Sequence, residues 1–303
     1  MITVLKKTVS QFLDDNCSRM AAALAYYTAF SLAPLLILII TLCGMVWSPS
    51  DVEGILYSEI EGIVGEDGAL QVKTMLENAT RADRGWFAWL ASIGLLLVGA
   101  TGLVGQLQGA LNDTWEVQPD PDQGGVWNFV TKRFLSFGMI CGIAFLLLVS
   151  LIASSALSVA GDSIAAWLPT DVSQFALRAA HLTTSLLVIS LLFAAMFKFL
   201  PDAEIAWRDV AVGGVVTGVL FVAGRYAMGA YLGSQNLEDT YGAAGSLALI
   251  MLWIYYSSSI LLFGAELTQV WATVRGSGLK PSPGAIQVEQ KEVVVDSTAV
   301  DKS

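Results

Sequence analysis

The side chains able to do chemistry sit near the two ends of an otherwise apolar chain. Tyr26, Tyr27, Thr28 and Ser31 lie in the middle of the first long apolar run, followed by Pro34. Tyr255, Tyr256 and Ser257 lie in the middle of the last run, followed by Glu266. Hydroxyl and carboxyl groups need partners in hydrocarbon, and a proline frees the carbonyl one turn before it, here that of Phe30. Helices of this kind face protein or water rather than lipid. Aromatic hydroxyls suit an amphiphilic solute, because one tyrosine offers both an apolar face and a hydrogen bond. These residues are the candidate lining of a substrate path, with the polar faces of the first and last helices turned toward each other.

Secondary candidates lie between them. Gln106, Gln108 and Asn112 run down the inner half of one apolar run and need hydrogen-bond partners there. Arg225 and Glu266 are ionisable residues inside apolar runs, where such groups carry either structural ion pairs or function. They differ by about 20 Å in depth at the helical rise, so Arg225 is expected to reach Glu238 or Asp239, and Glu266 to reach Arg208 or Lys132. Small residues at Gly99, Gly102, Gly105 and Gly109, at Gly214 and Gly218, and at Ser150, Ser154 and Ser158 read first as close helix packing.

The residues exclude several chemistries. His181 is the only histidine, and Cys17, Cys43 and Cys141 are scattered without ligand spacing, so no metal site, cofactor site or disulfide framework is indicated and the cysteines read as small apolar filler. No HExxH, GxSxG or P-loop is present, and no catalytic residue is assigned. The formal net charge is -10, with the acids mainly in loops. No basic stripe with interleaved aromatics exists to bind nucleic acid.

The elements that must hold these residues are membrane helices. The chain is 55% hydrophobic and only 14% charged, which places it in the membrane class. A span needs about 20 apolar residues, and stretches of that kind fall at 22–47, 86–111, 134–160, 182–200, 210–232 and 243–273. The expectation is an all-α protein with six transmembrane helices. Lys6, Lys7, Arg19, Lys132, Arg133, Lys198, Arg208 and Arg275 flank one side, against Lys73, Arg81, Arg84 and Arg178 on the other. Positive charge favours the cytoplasm, so both termini are expected inside. Trp47, Trp86, Trp89, Trp115, Trp127, Trp167, Trp207 and Trp271 fall near the span ends, where indoles favour the interface.

Outside the spans, residues 48–85 carry apolar faces at Val52, Ile55, Leu56, Ile60, Ile63 and Val64, then at Leu70, Met75, Leu76 and Ala79. Two amphipathic helices at the outer mouth are expected. Ile2, Leu5, Val9, Phe12 and Leu13 predict a short amphipathic helix on the membrane surface. Residues 276–303 lack apolar periodicity and read as a disordered cytoplasmic tail.

The stretch Arg19-Met20-Ala21-Ala22-Ala23-Leu24-Ala25-Tyr26-Tyr27-Thr28-Ala29-Phe30-Ser31-Leu32-Ala33-Pro34 resembles the signature of the YihY/virulence factor BrkB family of bacterial inner-membrane proteins. A second block, from Tyr241-Gly242-Ala243-Ala244-Gly245-Ser246 through Trp253-Ile254-Tyr255-Tyr256 to Phe263-Gly264-Ala265-Glu266-Leu267, is similar to the family's last-helix motif. The resemblance covers roughly residues 5 to 275 and implies the cytoplasmic membrane of a bacterium. It also implies a transporter or a virulence-associated membrane protein. The ribonuclease BN label attached to members is regarded as a misassignment, and a single histidine without an acid cluster argues against a metal-dependent nuclease.

Together these observations predict transport of an amphiphilic or lipid-like solute by a protein whose partner is the bilayer. The rival expectation is an envelope scaffold that recruits a protein partner at its outer helices.

Overall fold

A computed structural model of the protein describes residues 2–43, 48–80, 102–121, 170–232 and 243–288. Most of the expected span 86–111, all of 134–160, Lys132, and the loop holding Glu238 and Asp239 lie outside these residues.

Helix α1 (Ile2–Asp14) and helix α2 (Cys17–Cys43) are separated by a two-residue turn. Asn16 there takes φ 53°, a left-handed conformation that asparagine reaches more easily than most residues. Its Nδ2 donates to the Asp14 carbonyl at 3.2 Å, which fixes the turn. Val4 packs against Leu267 and Val270, Thr8 is buried one turn further along α1, and Phe12 meets Phe263 edge-on at 6.0 Å. The other side leaves Ile2, Leu5, Val9 and Leu13 exposed.

Helix α3 (Pro49–Thr80) begins at Ser48, whose hydroxyl accepts from the Asp51 amide at 3.3 Å, an N-terminal cap. Lys73 Nζ lies 5.6 Å from the centre of the Tyr57 ring. On a straight helix those residues would stand about 24 Å apart, so α3 folds back on itself. Instead of two separate helices, one helical run forms two limbs.

Residues 102–114 form helix α4, and strand β1 (Val117–Pro119) follows. Helix α5 (Thr170–Phe199) leads through strand β2 (Ala203–Glu204) to helix α6 (Trp207–Leu232). Helix α7 (Ala243–Val274) is followed by strands β3 (Lys280–Pro281) and β4 (Ala285–Gln287). Among the described residues, three stretches are long and apolar enough to cross a membrane: Leu182–Phe199, Trp207–Ala227 and Ile250–Val274.

Helix α7 is the centre of the packing, touching α1, α2, α3 and α6. It runs antiparallel to α2. Cys17, Ala21 and Leu24 join Leu261, Leu262 and Ala265 in one core cluster, and Leu36 meets Ile250 and Trp253 at the far end. The first and last apolar helices therefore do pack together. Helices α5 and α6 approach through Gly214 and Gly218, where an added Cβ would strike Ala194 and Ser190. This is the close packing that small residues permit.

The segment after α7 corrects the expected disordered tail over residues 276–288. Strand β1 pairs antiparallel with β4 (Val117↔Gln287, Pro119↔Ala285), and β2 with β3 (Ala203↔Pro281, Glu204↔Lys280). Leu279 packs on the core cluster. Gly278 (φ 80°) and Gly284 (φ 83°) supply the turns. The glycines and prolines are turn formers here, and a backbone ladder needs no apolar repeat to form. Residues 289–303 lie outside the described residues.

Candidate functional site

The polar chemistry gathers where the α1–α2 turn meets α7. Glu266 is fully buried on α7. Cys17 Sγ donates to Glu266 Oε1 at 3.4 Å, and the Asp15 side chain hydrogen-bonds the same carboxyl. Glu116, just past α4, adds its charge, and the Thr114 hydroxyl touches Cys17. Glu266 Oε2 has no hydrogen-bond donor among the described residues. Trp115, also fully buried, donates from Nε1 to the Ala265 carbonyl at 3.1 Å and fixes α7 beside the carboxyl.

Burial pushes Asp15 above the usual carboxylate range, the hydrogen bond with Glu266 pulls it back, and the Asp14 charge adds to the rise. Cys17, which precedes the apolar run of α2, is held well above an ordinary thiol by burial, then by the charge of Glu266 and its hydrogen bond. A thiol so placed is a donor and not a thiolate nucleophile. It is also more than the apolar filler the sequence indicated.

A raised carboxyl in the folded state contributes stability that is present at low pH and lost as pH rises through the folded value. For Asp15 the loss begins above 3.8, the unperturbed value. Thermal unfolding of the detergent-solubilised protein should therefore show a transition temperature that falls with rising pH across the acid range. In Asp15→Asn that slope should flatten.

Two clasps hold the surrounding turns. The Asp202 carboxylate accepts from Gln108 Nε2 at 3.2 Å and Asn112 Nδ2 at 2.9 Å, while the Asp202 amide donates to Asn112 Oδ1 at 2.8 Å. Asp209, in the first turn of α6, accepts from the Ser277 amide and hydroxyl at 3.1 and 2.9 Å. The sequence marked Gln108 and Asn112 as needing partners; Asp202 supplies them. Gln106 is half-buried on α4 and takes no part in the clasp.

The other candidates divide. Ser31 is buried and Thr28 half-buried, continuing the Cys17, Ala21, Leu24 stripe of α2. Tyr26 and Tyr27 are exposed by 55% and 46%, off that stripe, with the Tyr26 ring tilted against Phe30 at 4.8 Å between centroids. The reason is rotation: positions 17, 21, 24, 28 and 31 share one helical face, and 26 and 27 fall outside it. Pro34 lies within α2, its side chain outside what is described. Tyr255 is half-buried against the core, and Tyr256 lies over Gly224 and 6.1 Å from Trp253. Ser257 carries a buried hydroxyl with no hydrogen-bond partner among the described residues. Arg225 is half-buried on α6. Glu266 meets Cys17 and Asp15, and exposed Arg208 is not its partner. Trp115 is a core residue, not the interfacial indole its position in the sequence indicated.

A cavity of about 320 Å³ lies elsewhere, between α2 and the two limbs of α3. Leu36, Ile40, Leu56, Ile60 and Val72 form its apolar walls, and Ser50, Glu53, Tyr57, Lys73 and Glu77 its polar ones. Among the described residues, no three His, Cys, Asp or Glu side chains come together to hold a metal ion.

Three stretches among the described residues long and apolar enough to cross a membrane fit an integral membrane protein. The family described as Virulence factor BrkB matches residues 8–286, and the chain belongs to it. It is 29% identical over 272 residues to a UPF0761 membrane protein of Stenotrophomonas maltophilia (strain K279a), covering 88% of this chain and 60% of that protein. A UPF0761 membrane protein of Pseudomonas aeruginosa (strain UCBPP-PA14) is 27% identical over 269 residues, 85% of this chain and 60% of the relative. One from Psychrobacter sp. (strain PRwf-1) is 26% identical over 271 residues, 87% and 47%. The chain thus spans less than two thirds of the length of these relatives. No solved structure matches it.

Proposed function

We propose that the protein is a six-span protein of the bacterial inner membrane, with both termini cytoplasmic, that moves an amphiphilic or lipid-like solute. The cavity between α2 and α3 carries this reading. Its apolar floor suits an acyl chain, and Glu53, Lys73 and Glu77 at its polar side suit a zwitterionic head. Pockets that combine apolar walls with a few convergent polar groups are the usual form of a small-molecule site.

Charge distribution supports the orientation. Lys6, Lys7 and Arg19 belong to the end of the bundle where Cys17 meets Glu266. Lys198, Arg208 and Arg275 gather at the turns joined by the Asp209–Ser277 clasp. Excess Lys and Arg at one end favours that end inside. The exposed Ile2, Leu5, Val9 and Leu13 of α1, beside Lys6 and Lys7, suit a helix lying in the inner interface among anionic headgroups.

Purified protein in phospholipid vesicles should accelerate transbilayer movement of a fluorescent lysophospholipid, read by quenching from outside. Gly54 lines the cavity, and a Cβ added there meets nothing within 4 Å. Gly54→Trp should therefore fill the cavity, keep the fold and bring the rate close to that of empty vesicles. Wild-type vesicles no faster than empty ones, or a Gly54→Trp rate equal to wild type, would overturn the proposal and leave the envelope scaffold as the better reading.

A further inference from the structure

We infer that Asp15 and Glu266 hold one proton between them, which makes the junction of α1, α2 and α7 a proton-binding site. On the transport reading, and resting on it, this proton is the coupling ion.

The donor inventory around Glu266 carries the inference. Its carboxyl is fully buried, and Cys17 supplies one donor to Oε1. Oε2 has none. Asp15 brings a second carboxyl to Glu266. Two ionised carboxylates only accept, so a hydrogen bond between them exists only with a proton on one of them. An orphaned carboxylate oxygen in a dry site is costly, and a shared proton removes that cost at once.

The charges facing the pair point the same way. The α1–α2 turn brings Asp15, with Asp14 behind it. Helix α2 brings Cys17, and the end of α4 brings Glu116 with the Thr114 hydroxyl. Helix α6 faces the adjacent turns of α7 with Gly213 and Thr217, which carry no charge. Among the described residues, the charged groups acting on Glu266 are acidic. A divalent metal would need three ligating side chains together, and no such group is found among the described residues. A proton needs only the two oxygens.

Release breaks the O–H bond, leaves its electron pair on the carboxylate and passes the proton to water. The pair then carries two negative charges beside Glu116, with the Cys17 thiol as donor. Like charges this close repel strongly at low dielectric. Asp15 sits on the turn between α1 and α2, so that repulsion acts between this turn and α7, and protonation relieves it.

Difference infrared spectroscopy of the full chain in lipid nanodiscs reads this directly. Exposed carboxyls are ionised at neutral pH, so the wild type should retain one protonated-carboxyl C=O band there, shifted in heavy water. Asp15→Asn and Glu266→Gln each place an amide donor opposite the remaining carboxylate, and each should lose the band. Absence of the band in wild type, or its persistence unchanged in both variants, overturns the site. In vesicles, an imposed pH gradient should accelerate lysophospholipid movement by wild type but not by Asp15→Asn. An infrared band without gradient dependence overturns the coupling role while the proton site stands, and absence of all movement fails the transport reading alone.

Discussion

Replacing Trp115 with alanine is expected to destabilise the protein by about 3–5 kcal/mol, the range for removing a large aromatic from a packed interior. Trp115 is fully buried, at the point where α4 ends and the chain turns toward β1. The indole fills the space between that turn and α7, and its Nε1 donates to the Ala265 carbonyl at 3.1 Å. Alanine leaves a cavity and removes that donor. Trp115→Phe keeps most of the volume and loses only the hydrogen bond, so it should cost about 1 kcal/mol. Because Ala265 immediately precedes Glu266, loosening this contact also lets water reach the buried carboxyl. Thermal unfolding in nanodiscs gives the first effect, and broadening of the protonated-carboxyl band gives the second. A Trp115→Ala protein that melts with wild type would show that the indole does not hold α7.

The same residue shows how far the sequence could be read. A tryptophan at the end of an apolar run is placed at the interface by its amphipathic ring, and exposed Trp207 fits that rule. Trp115 breaks it, because its indole lies in the core cluster with Leu111, Val117 and Ala265 while the chain beyond it turns into β1, which pairs with β4. Neither strand carries an apolar alternation long enough to be recognised; their pairing is made by main-chain groups, which no side-chain pattern reveals. The ordered stretch 276–288 was hidden for the same reason.

The polar character of α2 was legible, and so was its partnership with α7. Its rotation was less so, although Cys17, Ala21, Leu24, Thr28 and Ser31 recur at helical spacing and mark the packed face. Hydroxyl content alone places Tyr26 and Tyr27 on that face, whereas helical spacing excludes them. Glu266 stood out as an ionisable group in an apolar run. Its partners did not, because a buried acid is expected to find a base, and here the fold brings a second acid and a thiol. No local pattern ties Asp15 and Cys17 to a residue on the last helix; only the turn at Asn16 does.

Gly264→Ala is expected to cost about 1–3 kcal/mol, the penalty for overpacking a close contact, although alanine is the better helix former. Helices α6 and α7 meet through a reciprocal pair. Thr217 of α6 lies against Gly264 of α7, and Thr268 of α7 lies against Gly213 of α6. Each hydroxyl donates back to a carbonyl one turn earlier at 2.7 Å, Thr217 to Gly213 and Thr268 to Gly264. A Cβ at 264 would land on Thr217 Oγ1. The threonine has two ways to escape: it can rotate and abandon its buried hydrogen bond, or the helices can separate. Both are unfavourable where association rests on close packing instead of exclusion from water. Exchanging the pair, Gly264→Ala with Thr217→Gly, restores the space and should recover part of the loss, less the cost of a second helical glycine. Gly54→Ala is the control, since a Cβ there meets nothing within 4 Å and should leave stability equal or slightly higher. Unfolding temperatures of the four proteins in nanodiscs decide it. If Gly264→Ala melts with wild type and Gly54→Ala, the α6–α7 seam is looser than its geometry. If the exchange recovers stability, the distance between these helices, and with it the position of Glu266 two residues further along α7, is set by one methyl-sized space.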